Sequence, residues 1–160
     1  DIGIDASRYF FNTRLAGSHF DFDLDLAVRQ SNENPVYYVQ YAHARICSII
    51  RQMAEEGVSV PSYKDIDPSV LDKSEELELL RKIAQLPGEI KQSAQALEPA
   101  KITRYVSDLA GLFHSFYNEC YVIDENNIEL SKQRLSLVEA TRITMANALN
   151  LIGVSAPEKM

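Results

Sequence analysis

Several chemistries are disfavoured by what the sequence has little of. Six glycines occur in 160 residues, and they form no glycine-rich loop of the kind that cradles phosphates. His19, His43 and His114 are far from one another in the sequence, and no Glu-x-x-His pair occurs, which argues against a carboxylate-bridged metal bundle. No serine or cysteine nucleophile is marked by a paired base. The sequence therefore predicts no catalytic residue and no metal site, and favours a binding or scaffolding module.

Long hydrophobic runs are also missing, so the sequence predicts no transmembrane helix, and it shows no secretory signal. Two cysteines, Cys47 and Cys120, fall within apolar helical patterns and lack CxxC spacing. They are expected to be buried thiols in a reducing, cytoplasmic compartment, with a disulfide between them as the rarer alternative.

The charge is negative, with 23 acidic and 16 basic side chains and a net charge of −7. This balance argues against a general nucleic-acid binder. The acidic residues are concentrated between positions 55 and 82, whereas the helices outside that region are close to neutral or locally basic. A nucleic-acid contact on one side of the molecule is therefore permitted, although charge alone does not predict it.

The most informative stretch is a predicted helix from Asn34 to about Glu56, ended by Gly57. Asn34 can cap its first turn, and Pro35 suits the first helical position because its missing N–H needs no partner there. Apolar residues at helical spacing predict a face towards the core: Val39, Ala42, Ile46, Ile49, Ile50 and Met53. A second face holds phenols and a guanidinium suited to flat or anionic ligands: Tyr38, Tyr41, Arg45, Ser48 and Gln52. Without other information, packing against a neighbouring helix explains this second face as well.

The residues before this helix predict a short helix near Asp5, followed by an alternation of Phe20, Phe22, Leu24 and Leu26 with aspartates. A period of two favours a short strand, or an extended unpaired segment, because no second strong strand is present. The three aspartates lack the spacing of a calcium loop and are expected to form a solvated face.

Beyond Gly57, residues 58–73 predict a long surface loop, and Ser74 is expected to cap the next helix. We expect Pro87-Gly88 to break that helix and to start a short one ending near Leu97. Further helices are predicted from Glu98-Pro99 to about Cys120 and from about Ile128 to Ile152. Their core stripes are Ile102, Tyr105, Val106, Leu109, Phe113 and Phe116 in the first, and Val138, Met145, Leu149 and Ile152 in the second. The sequence thus predicts an all-α helical bundle at 34–160, preceded by a leader at 1–33 with a short helix and an extended or strand-like piece.

Five ordered pieces resemble arginyl-tRNA synthetases, which are class I enzymes. Asn34-Pro35-Val36-Tyr37-Tyr38-Val39-Gln40-Tyr41-Ala42-His43-Ala44-Arg45 resembles the start of their DALR-type anticodon-binding domain. Residues 3–11 and 22–27 resemble segments that precede this domain, 112–118 resembles its central helix, and 151–160 resembles its carboxyl-terminal end. The signatures of class I catalytic sites are missing, so the resemblance implies a C-terminal fragment.

The resemblance implies that the chain binds the anticodon loop of tRNA(Arg) and lacks catalytic activity by itself. The residues expected near the anticodon are Tyr38, Tyr41, Arg45, Tyr117, Met160 and, in the loop before the helix, Asn34, whereas His43 is expected to be structural. The implied partners are tRNA(Arg) and a catalytic domain of the same, monomeric enzyme, which would use ATP and Mg²⁺; the fragment itself is expected to need no cofactor. The alternative is a helical protein-interaction or scaffold module with no role in nucleic-acid binding.

Overall fold

The computed structural model describes residues 2–124 and 126–160, and within them the chain forms six α-helices and two short 3₁₀-helices. The α-helices are α1 (Ile4–Asn12), α2 (Leu24–Val28), α3 (Pro35–Glu55), α4 (Ser74–Ala96), α5 (Ala100–Glu119) and α6 (Ile128–Leu151), and the 3₁₀-helices span Tyr63–Asp65 and Pro68–Val70. The four long helices α3–α6 form a bundle in which α5 packs against each of the others. The predicted all-α bundle is confirmed.

Helix α3 begins and ends at the residues that the sequence indicated. The Asn34 side chain accepts a hydrogen bond from the backbone N–H of Val36 at 3.2 Å, and Pro35 is the first helical residue. The chain leaves the helix through Gly57, whose φ of +81° suits a residue without a side chain. The predicted core stripe is buried except at Ile50, which is half-buried. Local capping signals and apolar spacing were therefore sufficient to predict the bounds and the buried face of this helix.

Of the two alternatives predicted around Phe20 and Phe22, the strand was wrong and the unpaired segment is confirmed. Among residues 2–124 and 126–160 no strand is assigned; residues 19–23 are extended and unpaired, and the next residues form α2. The rings of Phe20 and Phe22 pack together and against Phe11, with ring centroids 5.5–5.8 Å apart. The alternation thus reflects an aromatic cluster rather than pairing in a sheet, and Asp23 instead caps α2 by accepting from the N–H of Leu26 at 2.9 Å.

The predicted break at Pro87-Gly88 was also wrong, because α4 continues through both residues. A proline removes one donor from the helix, but α4 packs against both α5 and α6, and these contacts offset the loss and keep the helix continuous. The helix ends at Leu97, which has a left-handed φ of +56°. Ser74 is not the cap: the Glu76 carboxylate accepts from the backbone N–H of Lys73 at 3.1 Å.

Helical spacing predicts Leu77, Leu80, Ile83 and Ala84 on the inner face of α4, but none of them is fully buried. Leu79, Leu86 and Ser93 face the core at heptad spacing, and Leu97 is 85% exposed. By contrast, the core stripes predicted for α5 and α6 are buried at every named position. The residues before α3 also join the core, since Tyr9 is 1% exposed and its hydroxyl lies 2.7 Å from that of Ser107. The boundary between the two domains at residue 33 stays a prediction.

Both cysteines are buried free thiols in the described part of the chain, as expected. None of the helices in that part has the length and apolar composition needed to cross a membrane.

Two glycines with opposite environments give a test of this backbone. Apart from its chain neighbours and the backbone of its own helix, no atom of the described residues lies within 4 Å of a Cβ placed on Gly88 in the middle of α4, so Gly88→Ala is expected to stabilise the fold by about 0.5–1 kcal/mol. At Gly153, φ is +69° and a Cβ would lie 2.8 Å from Arg8 Nη1, so Gly153→Ala is expected to destabilise it. Urea unfolding followed by circular dichroism measures both changes. A change of the same sign in the free energy of unfolding of both variants would contradict the backbone conformation described for Gly88 and Gly153.

Candidate functional site

A cleft of about 490 Å³ lies between α3, α5 and the 154–160 segment, which follows α6. Its lining combines aromatic, cationic and polar side chains with Met160. The residues that line it are Tyr41, Ala44, Arg45, Ser48, Ile49, Arg51, Gln52, Tyr117, Glu158, Lys159 and Met160. Four of the six residues predicted for the site, Tyr41, Arg45, Tyr117 and Met160, are therefore brought together from three separate parts of the chain.

The centre of the cleft is the guanidinium of Arg45. Its central carbon lies 4.7 Å from the centroid of the Tyr117 ring, a distance typical of a cation–π contact. On the other side, Arg45 Nη1 lies 3.5 Å from the Tyr41 hydroxyl, at the outer limit of a hydrogen bond. Helix α3 supplies Arg45 and Tyr41 one turn apart, and α5 supplies Tyr117. The arrangement presents aromatic faces and guanidinium donors together.

Tyr37 extends the aromatic surface and was not predicted as a site residue. Its ring stacks on that of Tyr41, with centroids 6.0 Å apart and an angle of 9° between the planes. The two residues are four positions apart on α3, so helical spacing was the signal that could have identified it. Stacking on Tyr37 restricts the orientation of the Tyr41 ring.

The electrostatics of the cleft differ from those of the whole chain. Three cationic side chains, Arg45, Arg51 and Lys159, line it with one carboxylate, Glu158, although the net charge of the chain is −7. Burial acts to lower the pKa of Arg45, but the contact with the Tyr41 hydroxyl and the nearby phenols outweigh it, so its pKa is raised and the guanidinium stays charged. The cleft is locally positive.

His114 and Tyr38 form the border between α3 and α5. Their ring centroids are 5.2 Å apart, and neither residue lines the cleft. Burial and the charge of Arg45 lower the pKa of His114, which is therefore neutral at pH 7. Burial raises the pKa of Tyr38, whose hydroxyl stays protonated. Tyr38, although predicted as a site residue, therefore packs between α3 and α5 and does not line the cleft.

Asn34 also lies outside the lining of the cleft. It is 3% exposed, and its amide donates to the carbonyls of Ala27 at 3.1 Å and Arg29 at 2.9 Å while its oxygen caps α3. The side chain therefore ties the loop between α2 and α3 to the start of α3. This geometry gives Asn34 a role in holding that loop.

Sequence reasoning missed Arg51, Lys159 and Glu158. Arg51 donates to the backbone carbonyl of Glu158 at 3.3 Å, and the three residues meet only because the 154–160 segment lies against α3. Arg51 is 107 residues before Glu158 in the sequence, so no local pattern could have indicated the contact. Sequence reasoning also overlooked that His43 and Cys47 are one helical turn apart; the Cys47 sulfur lies 3.8 Å from His43 Nδ1.

The chemistry available in the cleft is that of binding. Glu158 is the single acidic side chain in its lining, and the lining includes no histidine or cysteine, so the described side chains there make a poor set of metal ligands. Guanidinium and ammonium groups suit phosphate oxygens, and the phenol rings and the thioether suit the faces of flat heterocycles.

Comparisons with known proteins identify the family of the domain. The family model described as "DALR anticodon binding domain" matches residues 39–160. The arginine–tRNA ligase of Ruminiclostridium cellulolyticum is 57% identical over all 160 residues, and that of Desulforamulus reducens is 56% identical over the same length. The chain spans about 28% of the length of each of these two relatives.

A solved structure supports the fold. The crystal structure of arginyl-tRNA synthetase from Plasmodium falciparum superposes with a TM-score of 0.83 at 25% identity, covering 98% of this chain and 26% of that one. The similarity therefore extends across α1–α6, including the residues before α3 that the family model leaves unmatched.

Proposed function

The chain belongs to the DALR anticodon-binding domain family, and from this premise we propose that it binds the anticodon loop of tRNA(Arg) as part of a cytoplasmic arginine–tRNA ligase. The observation that carries the proposal is the cleft in which Arg45 lies over Tyr117 beside Tyr41 and Met160. Single-stranded loop bases are recognised by stacking and by hydrogen bonds to their edges, and both kinds of group occur there. The alternative of a scaffold without a nucleic-acid role has no support from the relatives.

Within this proposal the side chains have different tasks. Tyr41, oriented by Tyr37, and Met160 would contact base faces, because both present exposed apolar surface in the cleft. Arg45 would donate to a phosphate or a base edge from its position on Tyr117. Arg51 and Lys159 add positive charge that attracts the RNA backbone. Asn34 would act by fixing the loop before α3, and Tyr38 by joining α3 to α5.

We further propose that the chain binds RNA without a cofactor. Activation of arginine, with its ATP and Mg²⁺, would belong to a catalytic domain of the same, monomeric enzyme. The cleft supplies stacking surfaces and donors, which need no metal to bind a loop of RNA. Arginine-dependent exchange of pyrophosphate into ATP by the 160-residue chain would contradict this division of tasks.

Tyr41→Ala tests the proposed function. It is expected to weaken binding of a tRNA(Arg) transcript about tenfold, because stacking on an aromatic side chain contributes about 1–3 kcal/mol per base. Fluorescence anisotropy with labelled RNA at one stated salt concentration measures the change. The reference RNA is the same transcript with an altered anticodon, which has equal charge and hence an equal contribution from counterion release.

Tyr63→Ala is the matched control, since Tyr63 is 79% exposed on a 3₁₀-helix and does not line the cleft. It is expected to bind as the wild type does. Equal binding of both RNAs by the wild type, together with no effect of Tyr41→Ala, would contradict the proposed function and favour the scaffold alternative.

A further inference from the structure

The 154–160 segment runs beside α3 in the same direction as the helix. Three side chains of α3, spaced along one face, bind three backbone carbonyls of the segment. The hydrogen bonds are Gln40 Nε2 to Ser155 O at 3.0 Å, His43 Nδ1 to Pro157 O at 2.9 Å, and Arg51 Nη2 to Glu158 O at 3.3 Å. The contacts from Gln40 and His43 involve residues that do not line the cleft, so the position of Met160 depends in part on contacts made outside it.

His43 differs from the other two because it is inside the protein. It is 2% exposed, whereas the hydrogen bonds from Gln40 and Arg51 are at the surface. A peptide carbonyl can only accept, so the bond to Pro157 requires the proton of the ring to be on Nδ1. The bond to Pro157 is part-buried, so water competes with it less than with the two surface bonds, and it is the best shielded of the three attachments.

The other ring nitrogen shows that His43 is more than a space-filling side chain. His43 Nε2 is buried and has no hydrogen-bond partner among the described residues. Leaving a polar atom without a partner costs free energy, and a leucine would fill a similar volume without that cost. A leucine could make neither the bond from Nδ1 to Pro157 at 2.9 Å nor the longer contact of Nδ1 with the Cys47 sulfur at 3.8 Å, and the first is the stronger of the two. A histidine at this position is thus explained by its hold on the 154–160 segment.

We propose that His43 is a positioning residue for the cleft: its Nδ1–H fixes the Pro157 carbonyl and thereby places Met160 beside Tyr41 and Tyr117. Pro157 transmits the constraint because its ring fixes φ and the hydrogen bond to its carbonyl restricts ψ, and these two angles set the direction of the chain after it. The three residues after Pro157 are then guided along α3, and Met160, although 55% exposed, is held against the cleft. The part of the inference that concerns RNA rests on the proposed function.

Methionine-methyl NMR of the 160-residue chain tests the positioning without any ligand. The chain has three methionines; Met53 and Met145 are fully buried, and Met160→Leu assigns the remaining signal. In the wild type, the Met160 methyl is expected to show ring-current shifts and cross-peaks to Tyr41 or Tyr117. In His43→Leu it is expected to move to the position of an unstructured methionine, while Met53 and Met145 report an intact core.

The amide nitrogen of asparagine lies close to the position of the Nδ1 atom of histidine, so His43→Asn is expected to restore the Met160 signal, at least in part. An unshifted Met160 signal in His43→Leu, with the other two methyl signals unchanged, would overturn the proposal. If His43→Leu does not fold, the wild type decides. Nitrogen-15 NMR of its histidine rings is expected to show His43 protonated at Nδ1, and protonation at Nε2 alone would overturn the assignment.

RNA binding gives a second, separable measurement. Met160→Gly is expected to weaken binding of the tRNA(Arg) transcript about fivefold, which corresponds to a partly buried apolar side chain. His43→Leu is expected to have a similar effect, and the double variant no more than either single one, because both remove the same contact. Full additivity would overturn the link between His43 and Met160. If the wild type binds no RNA, the proposed function fails, whereas the NMR result still decides the role of His43.

Discussion

Glu76→Leu is expected to reduce the free energy of unfolding by about 3–5 kcal/mol, the usual cost of removing one partner of a buried ion pair. Arg134 Nε lies 2.6 Å from a Glu76 oxygen, and the two side chains are 5% and 0% exposed. Without Glu76 the guanidinium of Arg134 would remain inside the protein with an uncompensated charge. The variant would also lose the hydrogen bond that caps α4 at Lys73.

Thermal and urea unfolding followed by circular dichroism measure this loss, which corresponds to a fall in Tm of roughly 10 °C for a domain of this size. Glu33→Leu is the matched control, because its ion pair with Arg29 is exposed at the surface and is expected to contribute at most about 1 kcal/mol. A loss in Glu76→Leu no larger than that in Glu33→Leu would contradict the prediction.

The double variant Glu76→Leu, Arg134→Met separates charge from packing. If the uncompensated charge is the main cost, removing it should recover a large part of the lost stability, even though two hydrogen bonds of Arg134 are then absent. One of these is the bond to the Tyr121 carbonyl at 2.7 Å, which ties the start of α6 to the chain after α5. If the double variant recovers no stability, the hydrogen bond from Arg134 to Tyr121, rather than the uncompensated charge, accounts for most of the loss.

The Glu76–Arg134 pair also marks a limit of sequence-based prediction. The two residues are 58 positions apart, and each is a common surface residue type, so neither pattern nor propensity identified them as buried. Asn34, Pro35 and Gly57 were recognised because capping depends on a few neighbouring residues. The stripes of α3, α5 and α6 were recognised because burial of one face imposes a period of 3.6.

The errors at Pro87 and Phe20 have a common cause. At Pro87 a local breaking signal is overcome by packing of α4 against two helices, and at Phe20 and Phe22 an alternation that suits a strand is satisfied by an aromatic cluster. In both places the deciding contacts are tertiary. The same holds for the cleft. Tyr41 and Arg45 were predicted from their spacing on α3, whereas the contribution of Arg51 and Lys159 depends on the packing of the 154–160 segment against α3.

Arg45→Met is expected to weaken binding of tRNA(Arg) by about 2–3 kcal/mol, or roughly 30- to 150-fold, which is a typical loss at a central arginine of an interface. The change removes the charge at the centre of the cleft and the cation–π contact that orients the guanidinium over Tyr117. Arg45→Lys keeps the charge but lacks the planar fork of donors, so its loss is expected to be smaller but measurable. Anisotropy titrations with the tRNA(Arg) transcript measure both variants, after thermal unfolding has shown that their folds are intact.

The salt dependence of these titrations distinguishes the two tasks that Arg45 could perform. If the guanidinium neutralises a phosphate, Arg45→Met should lower the slope of log K against log salt by about 0.7 and weaken the cognate and altered-anticodon transcripts alike. If it donates to a base edge, the slope should stay near that of the wild type and the loss should be confined to the cognate anticodon. Arg81→Met, which changes an exposed arginine of α4 outside the cleft, is the control for overall charge. Equal losses in Arg81→Met and Arg45→Met would mean that the RNA responds to the charge of the whole chain, and the special position of Arg45 on Tyr117 would then have no part in binding.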